Sequence, residues 1–473
     1  MCFSTKLENN IIFILSYLKI CYNFIVVICM YNLFCILIGK IIILLGKILN
    51  RGSSLPGQIV LKLNKNILKH FKLPKTIIAV TGSSGKGSSS SLLSKIFKEQ
   101  GYSVAHNISG SNLTAGITTL LLDNANLMGK IKKDVLIYEI DEKYAKYVFK
   151  DIKPDIVVIT NITRDQPPRQ GNFDLVYNEI NKALTNDMTL VLNGDDPYLM
   201  KFSTNRKNKI IYYGIGKNKY SYKKNKFENL NIEYCPICNN KLEYDFYHFE
   251  SNGEYKCSKC EFKKPKINYE VTNINYDKSS IEINNNVNIH IPYNLLFCIY
   301  NVMACYTVSN ICNLDNNKTI NTISLEKGND KIFKIYEYKN RMVYVLNNKN
   351  ENSSTFNQSL WYINRNKDLK TIIIGWKEIS RRYNFDDLSW LYDINFELFK
   401  KMNIDKIICS GINCYDIAVR LKLAGIDQNK IIIKEKLKDS TYYLKNKTKG
   451  NIYAVLNFDY IKPFNEYMNG SDK

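Results

Sequence analysis

Residues 75–101 read KTIIAVTGSSGKGSSSSLLSKIFKEQG. The β-branched run at 77–80 has the length and apolarity of a buried strand. The pattern breaks at Gly82 and resumes at Lys86 with helical spacing through Leu92, Leu93, Ile96 and Phe97. The expected order is strand, glycine loop, helix. Such a loop aims successive backbone N–H groups and a helix N-terminus at one spot, where partial positive charge suits phosphate. On this reading Gly82, Ser83, Ser84, Gly85, Lys86, Gly87 and Ser88 form a nucleotide loop, with Lys86 reaching the terminal phosphates and Ser88 offering a hydroxyl to Mg²⁺. The competing reading is a plain Gly/Ser turn. The spacing is not that of an ordinary Walker A loop, because Val80 stands five before Gly85 and Gly87 follows Lys86.

With 473 residues the chain has room for two or three domains and an ample core. Lys+Arg 66 against Asp+Glu 44 gives a net +22, a balance that attracts nucleic acid or an anionic membrane surface. The basic residues are spread among Asn and Ile and form no long block, so no nucleic-acid partner is expected. Of 13 cysteines, four fall in the apolar N-terminus, five are scattered through the second half and four form two C-x-x-C pairs. Many unpaired cysteines in a large chain point to a reducing compartment, without disulfides.

Residues 20–39 carry no charge, and another apolar run follows Lys40. About 20 such residues can cross a bilayer as a helix. Three readings stand: a membrane anchor, an interfacial helix over 33–49 with Lys40 and Lys47 on its wet side, and, least favoured, a signal peptide; Met30 offers a second start. Beyond the glycine loop, strands are expected at 103–108, 135–142, 155–161 and 190–197, alternating with helices. That alternation predicts an α/β fold with a mostly parallel, doubly wound sheet. Acids at strand ends beside a phosphate loop are natural Mg²⁺ ligands. Glu139 is the chosen ligand; Asp141 and Glu142 read as a helix N-cap cluster.

Cys235, Cys238, Cys257 and Cys260 make two C-x-x-C knuckles separated by a β-rich stretch. That spacing sets four thiolates around a tetrahedral Zn²⁺ with no open position, a structural site. The insert is too short for a large core, so the metal would supply much of its folding energy.

TGSSGKGSSS, NISGSN, YEIDE, ITNITRDQ, LNGDDP and FCIYNVMACY occur in the order and spacing of the Mur ligase central domain, which the chain therefore resembles. The zinc ribbon, FNQ at 356–358, DDLSWLYDINFE at 386–397 and SGINCYDIAVRLKLAG at 410–425 resemble the MurT branch, over a span from about residue 33 to the mid-450s. The chain departs from the family pattern at Ser83, Ser84, Gly87, Pro168 and Asn329, and lacks the family glycine before Asp387. The resemblance implies an apolar segment at 1–50, an ATP-binding domain at 51–325 with the ribbon inserted at 229–266, and a C-terminal α/β domain at 326–473. It also implies Asn161 and Asn193 among the ATP contacts. The implied activity is ATP-dependent amidation of the D-glutamate α-carboxylate of the lipid II stem peptide, through an acyl phosphate, in peptidoglycan synthesis. Ammonia would come from a GatD-type glutaminase, whose Cys/His pair Asp387 would complete, with Asp393 in reserve. The cytoplasm, at the inner face of the membrane, is the implied location. The alternatives are a folylpolyglutamate-synthase-like or other amino-acid-adding ligase, and a zinc-containing binding protein that has lost catalysis.

Overall fold

The structure is a computed structural model and describes residues 27–49, 54–107, 111–163, 173–227, 232–328, 330, 332–348, 352–377 and 387–470. The centre of the 107–112 turn, the 164–171 stretch with Pro168, Asn329 and the first residue of DDLSWLYDINFE lie outside these residues.

The expected parallel strands form as β1 (Thr76–Thr81), β2 (Val104–His106), β3 (Val135–Glu139), β4 (Ile156–Ile159) and β5 (Thr189–Asn193), and a further strand that the sequence reading did not anticipate, β6 (Ile210–Ile215), follows them. A hairpin, β7 (Leu242–Phe249) and β8 (Asn252–Cys257), interrupts them before β9 (Tyr269–Asn275), β10 (Ser280–Ile283) and β11 (Val287–His290). The sheet order is β11-β10-β9-β6-β5-β4-β1-β3-β2. Every pairing from β2 to β9 is parallel, and β10 pairs antiparallel with both neighbours. The chain leaves β1 toward β2 and β3 on one side and then builds β4 to β6 on the other. The C-terminal end of β1 is therefore the switch point of an open α/β sheet, where ligands bind.

Side chains alternate across β1. Ile78 and Val80 join Leu93, Ile96 and Phe97 and the helix Leu296–Ile311 in one apolar cluster; Ile77 and Ala79 face a second cluster on the opposite side. A fully buried aliphatic side chain of this kind contributes about 2 kcal/mol. The helix Leu296–Ile311, which carries FCIYNVMACY, is buried almost all round, so it has no polar face to show a helical period.

A second sheet has the order β12-β13-β17-β14-β15-β16, with β12 (Phe333–Tyr338), β13 (Arg341–Asn348), β14 (Lys370–Trp376), β15 (Ile404–Gly411), β16 (Ile431–Lys434) and β17 (Asn451–Asn457). The apolar patterns of this region predict strands at 370–376, 404–409 and 451–455 and helices at 396–402 and 414–423; the strands form as β14, β15 and β17, and the second helix is Cys414–Leu423. The segment expected as a helix at 396–402 is instead a 3₁₀ turn, Phe396–Lys401.

The apolar N-terminal run forms one helix, α1 (Val27–Ile48), and the short helix α2 (Leu55–Leu63) follows it. Helix α1 lies along the first domain and buries Asn32, Cys35, Ile36 and Ile43. Gly39 permits this approach, since a Cβ there would stand 2.8 Å from Leu122. The wet-side assignment of the lysines is corrected: Lys40 donates to the Leu122 carbonyl at 2.9 Å and Lys47 pairs with Asp123 at 2.7 Å, so both turn toward the domain.

Candidate active site

Two glycines set the loop after β1. Gly82 and Gly85 have φ of 123° and 80°, a region that costs a side chain strain. A Cβ on Gly82 would meet the Thr160 hydroxyl at 2.4 Å, and one on Gly85 the Asn301 carboxamide oxygen at 2.4 Å. Between them the loop is braced on the end of β4. Ser83 N–H donates to the Asn161 carbonyl at 2.9 Å, Ser84 N–H to Asn161 Oδ1 at 3.0 Å, and Asn161 Nδ2 returns a bond to the Ser84 carbonyl at 3.0 Å. Thr160 Oγ1 donates to that same carbonyl at 2.6 Å, and Ser83 Oγ accepts from Thr163 N–H at 2.9 Å. Ser83, Ser84 and Asn161, all expected at the nucleotide, thus hold the loop's shape with these groups. The donors that face an anion are those of the next turn. Helix α3 (Lys86–Glu99) starts at Gly85, and its first N–H groups have no carbonyl four residues back to bond.

Lys86 is only 8% exposed. Its ammonium donates to the Gly82 carbonyl and pairs with Glu142 Oε1 at 2.8 Å. Two expectations are corrected here, a Lys86 outside the core and a Glu142 in a helix N-cap cluster: Lys86 lies inside the protein, and Glu142 is 1% exposed and supplies its counter-charge. Asp141 does behave as a turn acid, accepting from Lys143 N–H at 3.1 Å. Glu139 closes the other side of the loop. Its backbone is clamped by Asn107 (N–H to Oδ1 and Nδ2 to carbonyl, both 2.9 Å), and its Oε1 accepts from Asn112 at 2.9 Å. A Cβ on Gly87 would stand 3.2 Å from Glu139 Oε2. This gives Gly87 a reason: its missing side chain lets the Glu139 carboxylate lie against the first turn of α3, an acidic oxygen positioned as a Mg²⁺ ligand would be.

These residues open on a cavity of about 450 Å³. Its wall includes the loop from Ser83 to Ser88, Glu139, Asn161 and Asn193 from the first sheet, Glu250 from the hairpin, and Asn348, Ser354 and Gln358 from beyond β12. Asn193 caps its own turn, accepting from Asp195 N–H at 3.1 Å. Burial pushes the Asp196 carboxyl up to about 7 and Glu250 up to about 7, the latter against hydrogen bonds from Asn357 and Ser354 that lower it. Asp387 and Asp393 do not line the cavity. Asp387 is half-exposed and accepts from Ser389 N–H at 2.8 Å.

The four knuckle cysteines converge, all Sγ atoms lying within 4.8 Å of one another. Cys235 and Cys260 are 3.7 Å apart, and Cys238 and Cys257 3.4 Å. Zn–S bonds of about 2.3 Å in a tetrahedron need sulfurs roughly 3.8 Å apart, so the donor set fits the ion in chemistry and in spacing. The hairpin behind them is fastened to the turn after β5. Lys264 pairs with Asp195 at 2.9 Å, both almost wholly buried, while Tyr300 donates to Asp195 at 2.9 Å and Tyr255 to the Gly194 carbonyl at 3.0 Å.

Sequence reasoning gave Glu142 the wrong role and missed Glu250 and Asn301. Glu142 stood in the YEIDE motif and was open to recognition as the partner of a buried lysine; Glu250 and Asn301 come from an insert and a helix whose approach to the loop no local spacing reveals.

Two family models match: the Mur ligase middle domain over residues 80–234 and the MurT ligase C-terminal domain over residues 350–460. A Staphylococcus aureus (strain COL) protein described as lipid II isoglutaminyl synthase (glutamine-hydrolyzing) subunit MurT is 29% identical over 434 residues, covering 89% of this chain and 94% of that one. The protein of the same description from Streptococcus pneumoniae is 27% identical over 433 residues, covering 89% and 93%. Among solved structures, a pseudomurein peptide ligase type C from Methanothermus fervidus superposes with a TM-score of 0.64 at 19% identity, over 85% of this chain and 80% of its own. MurF ligase from Thermotoga maritima in complex with ADP gives 0.57 at 17% identity, over 88% and 84%. The fold is thus that of the Mur ligases. The middle-domain match, the C-terminal-domain match and the near full-length likeness agree: the chain carries a Mur ligase middle domain and a MurT ligase C-terminal domain and is similar to MurT subunits along most of its length.

Proposed function

We propose that this chain is the ATP-dependent synthetase subunit of a lipid II isoglutaminyl synthase, converting the D-glutamate α-carboxylate of the stem peptide to a carboxamide. The carrying observation is the single cavity in which the glycine loop, Lys86 and Glu139 face a wall built by the MurT-type region. The carboxylate oxygen attacks the γ-phosphorus of ATP, ADP leaves, and ammonia then displaces phosphate from the acyl phosphate. Charge builds on the transferring phosphoryl group; the N–H groups at the start of α3 would receive it, joined by the Lys86 ammonium, which in the structure is held by Gly82 and Glu142. Glu139, clamped by Asn107 and Asn112, would hold Mg²⁺, with Ser88 offering a hydroxyl to the same ion. When bound, that ion neutralises phosphate oxygens. Cys235, Cys238, Cys257 and Cys260 would hold a structural Zn²⁺.

Ammonia is mostly protonated at neutral pH, so a coupled glutaminase of the GatD type is the expected nitrogen source. Asp387, or Asp393 in its place, would orient that partner's catalytic histidine as a third triad member does. Its place outside the cavity suits a residue that acts across an interface. Asp387→Asn, assayed in the complex with the glutaminase, should lower glutamine-dependent amidation about 1,000-fold or more and leave ammonium-dependent amidation near normal. Equal loss with both nitrogen sources would remove Asp387 from this role.

The substrate class also accounts for α1. Its face opposite the domain is apolar and bare: Met30, Phe34, Leu37, Ile41, Leu44 and Ile48 are all exposed. A helix fastened lengthwise to a domain presents that face to a bilayer surface without crossing it. Full-length protein should sediment with vesicles containing anionic lipid, and Leu37→Glu with Leu44→Glu should release it. Undiminished sedimentation of the double variant would exclude this face.

A further inference from the structure

The zinc-ribbon hairpin does more than hold its cysteines together. Its turn reaches the main cavity, and the residue it delivers there is Glu250. Glu250 has φ of 45°, a left-handed conformation that glutamate seldom adopts, and its side chain is enclosed, the residue being 4% exposed. Both carboxylate oxygens are engaged by one helix of the MurT-type region, Ser353–Arg365. Asn357 Nδ2 donates to Oε1 at 2.6 Å and Ser354 Oγ to Oε2 at 3.3 Å.

Asn357 is the middle residue of FNQ and is 1% exposed. Its amide joins three pieces of chain. Nδ2 also donates to the Asp393 carbonyl at 3.2 Å, and Oδ1 accepts from Asn395 N–H at 2.8 Å. A primary amide has two donor hydrogens and one acceptor oxygen. With Glu250 taking one hydrogen and Asp393 the other, the plane of the Asn357 amide is fixed, and with it the direction from which Asn395 must approach.

We infer that Glu250 is a positioning residue: from the tip of the ribbon hairpin it orients the Asn357 amide, and through it sets the 387–395 segment against the helix Ser353–Arg365. The consequence for the reaction rests on the function proposed above, since that segment carries Asp387. The structural link itself does not. Trp390, packed 5.3 Å from Phe356 and 5.2 Å from Trp376 between ring centroids, anchors the same segment independently. Loss of Glu250 therefore loosens the segment without detaching it.

The test is hydrogen exchange on the full-length chain at the amide of Asn395, which donates directly to Asn357. Glu250→Ala should speed exchange there about tenfold or more, by raising the local opening population, while the amides of β1 and α3 keep their protection. Glu250→Gln can present its oxygen to Asn357 and its amide to the Ser354 hydroxyl, so it should stay close to the parent. Asn357→Ala provides a second route to the same result, with Asn395 accelerated and Glu250 intact. An Asn395 amide unchanged in Glu250→Ala would overturn the inference, as would equal acceleration in Glu250→Gln, because only the hydrogen-bond pattern separates these variants. In the complex with the glutaminase, Glu250→Ala should also lower the ratio of glutamine-dependent to ammonium-dependent amidation. An unchanged ratio beside a selective defect in Asp387→Asn would contradict the link to nitrogen transfer. The absence of a defect in Asp387→Asn would count against the proposed function and leave the exchange result to decide the positioning role.

Discussion

The glycine loop and the cysteine knuckles are both short motifs that gather charge in a small volume, and they resolve that charge in opposite ways. In the loop, the Lys86 ammonium meets the Glu142 carboxylate at 2.8 Å with both residues under 10% exposed, so the protein neutralises its own cation. In the knuckles, four sulfurs stand 3.4 to 3.7 Å apart across the two closest pairs, a spacing that thiols gain little from and that a divalent cation makes cohesive. The loop is organised by the fold alone; the hairpin is organised by the fold and an ion. Damage to each should therefore leave a different footprint.

The largest footprint belongs to Lys86. Lys86→Ala should abolish ATP-dependent amidation, and it should also destabilise the protein by about 3 kcal/mol, because removing one partner leaves a buried charge uncompensated. Lys86→Ala with Glu142→Gln should recover most of that stability in thermal melts and none of the activity. A single variant as stable as the parent would break the comparison, since Glu142 would then need no partner.

The second footprint is local. Elemental analysis should find about one Zn²⁺ per chain, and Cys235→Ser with Cys257→Ser should lose it. Exchange protection should fall in β7 and β8 and persist in β1 and α3. Loss of protection throughout both sheets would mean that the hairpin is no separate unit. Protein purified reduced, fully folded and free of zinc would contradict the ion's part altogether.

The smallest effect sharpens the comparison at the place where hairpin and cavity meet. Burial raises Glu250 from its ordinary 4.5 to about 7, so the folded protein holds a proton that the unfolded chain releases. The stability this confers is fully present below about pH 4.5 and is lost as pH rises through 7, a shift worth roughly 3 kcal/mol at most. Asp196, raised from 3.8 to about 7 in the same way, has the same sign. Glu250→Gln should flatten the fall in denaturation midpoint between pH 5 and 8, leaving the part due to Asp196. An unchanged slope would show that Glu250 does not titrate in this window.

Legibility followed the range of the interactions. The strand–loop–helix at 75–101 and the cysteine spacing were readable because the residues that define them are neighbours in sequence, with glycine conformation or metal geometry fixing the distance between them. Strands β1, β3, β4 and β5 were readable because parallel strands buried on both faces are continuous apolar runs. Strands β9 to β11, where the sheet turns from parallel to antiparallel pairing, were missed, since these short strands carry Asn and Glu among their apolar residues. Lys86 illustrates the deeper limit. Its chemistry was plain from the loop, yet its burial depended on Glu142, 56 residues away, and an acid at a strand end reads equally well as a cap. Glu250 was harder still, because its partners Ser354 and Asn357 lie more than 100 residues on and nothing in the hairpin's own pattern marks its tip as part of a cavity wall.

The central claim is that the glycine loop and Glu139 serve to make an acyl phosphate on a lipid-linked carboxylate. Lipid II labelled with heavy oxygen in the D-glutamate α-carboxylate, incubated with the protein, ATP and an ammonium salt, tests it in one step. If the carboxylate attacks the γ-phosphorus and ammonia then displaces phosphate, one labelled oxygen must leave with the inorganic phosphate and the other must remain in the new carboxamide. Phosphate released without label, or carboxamide formed with no ATP consumed, would contradict the account.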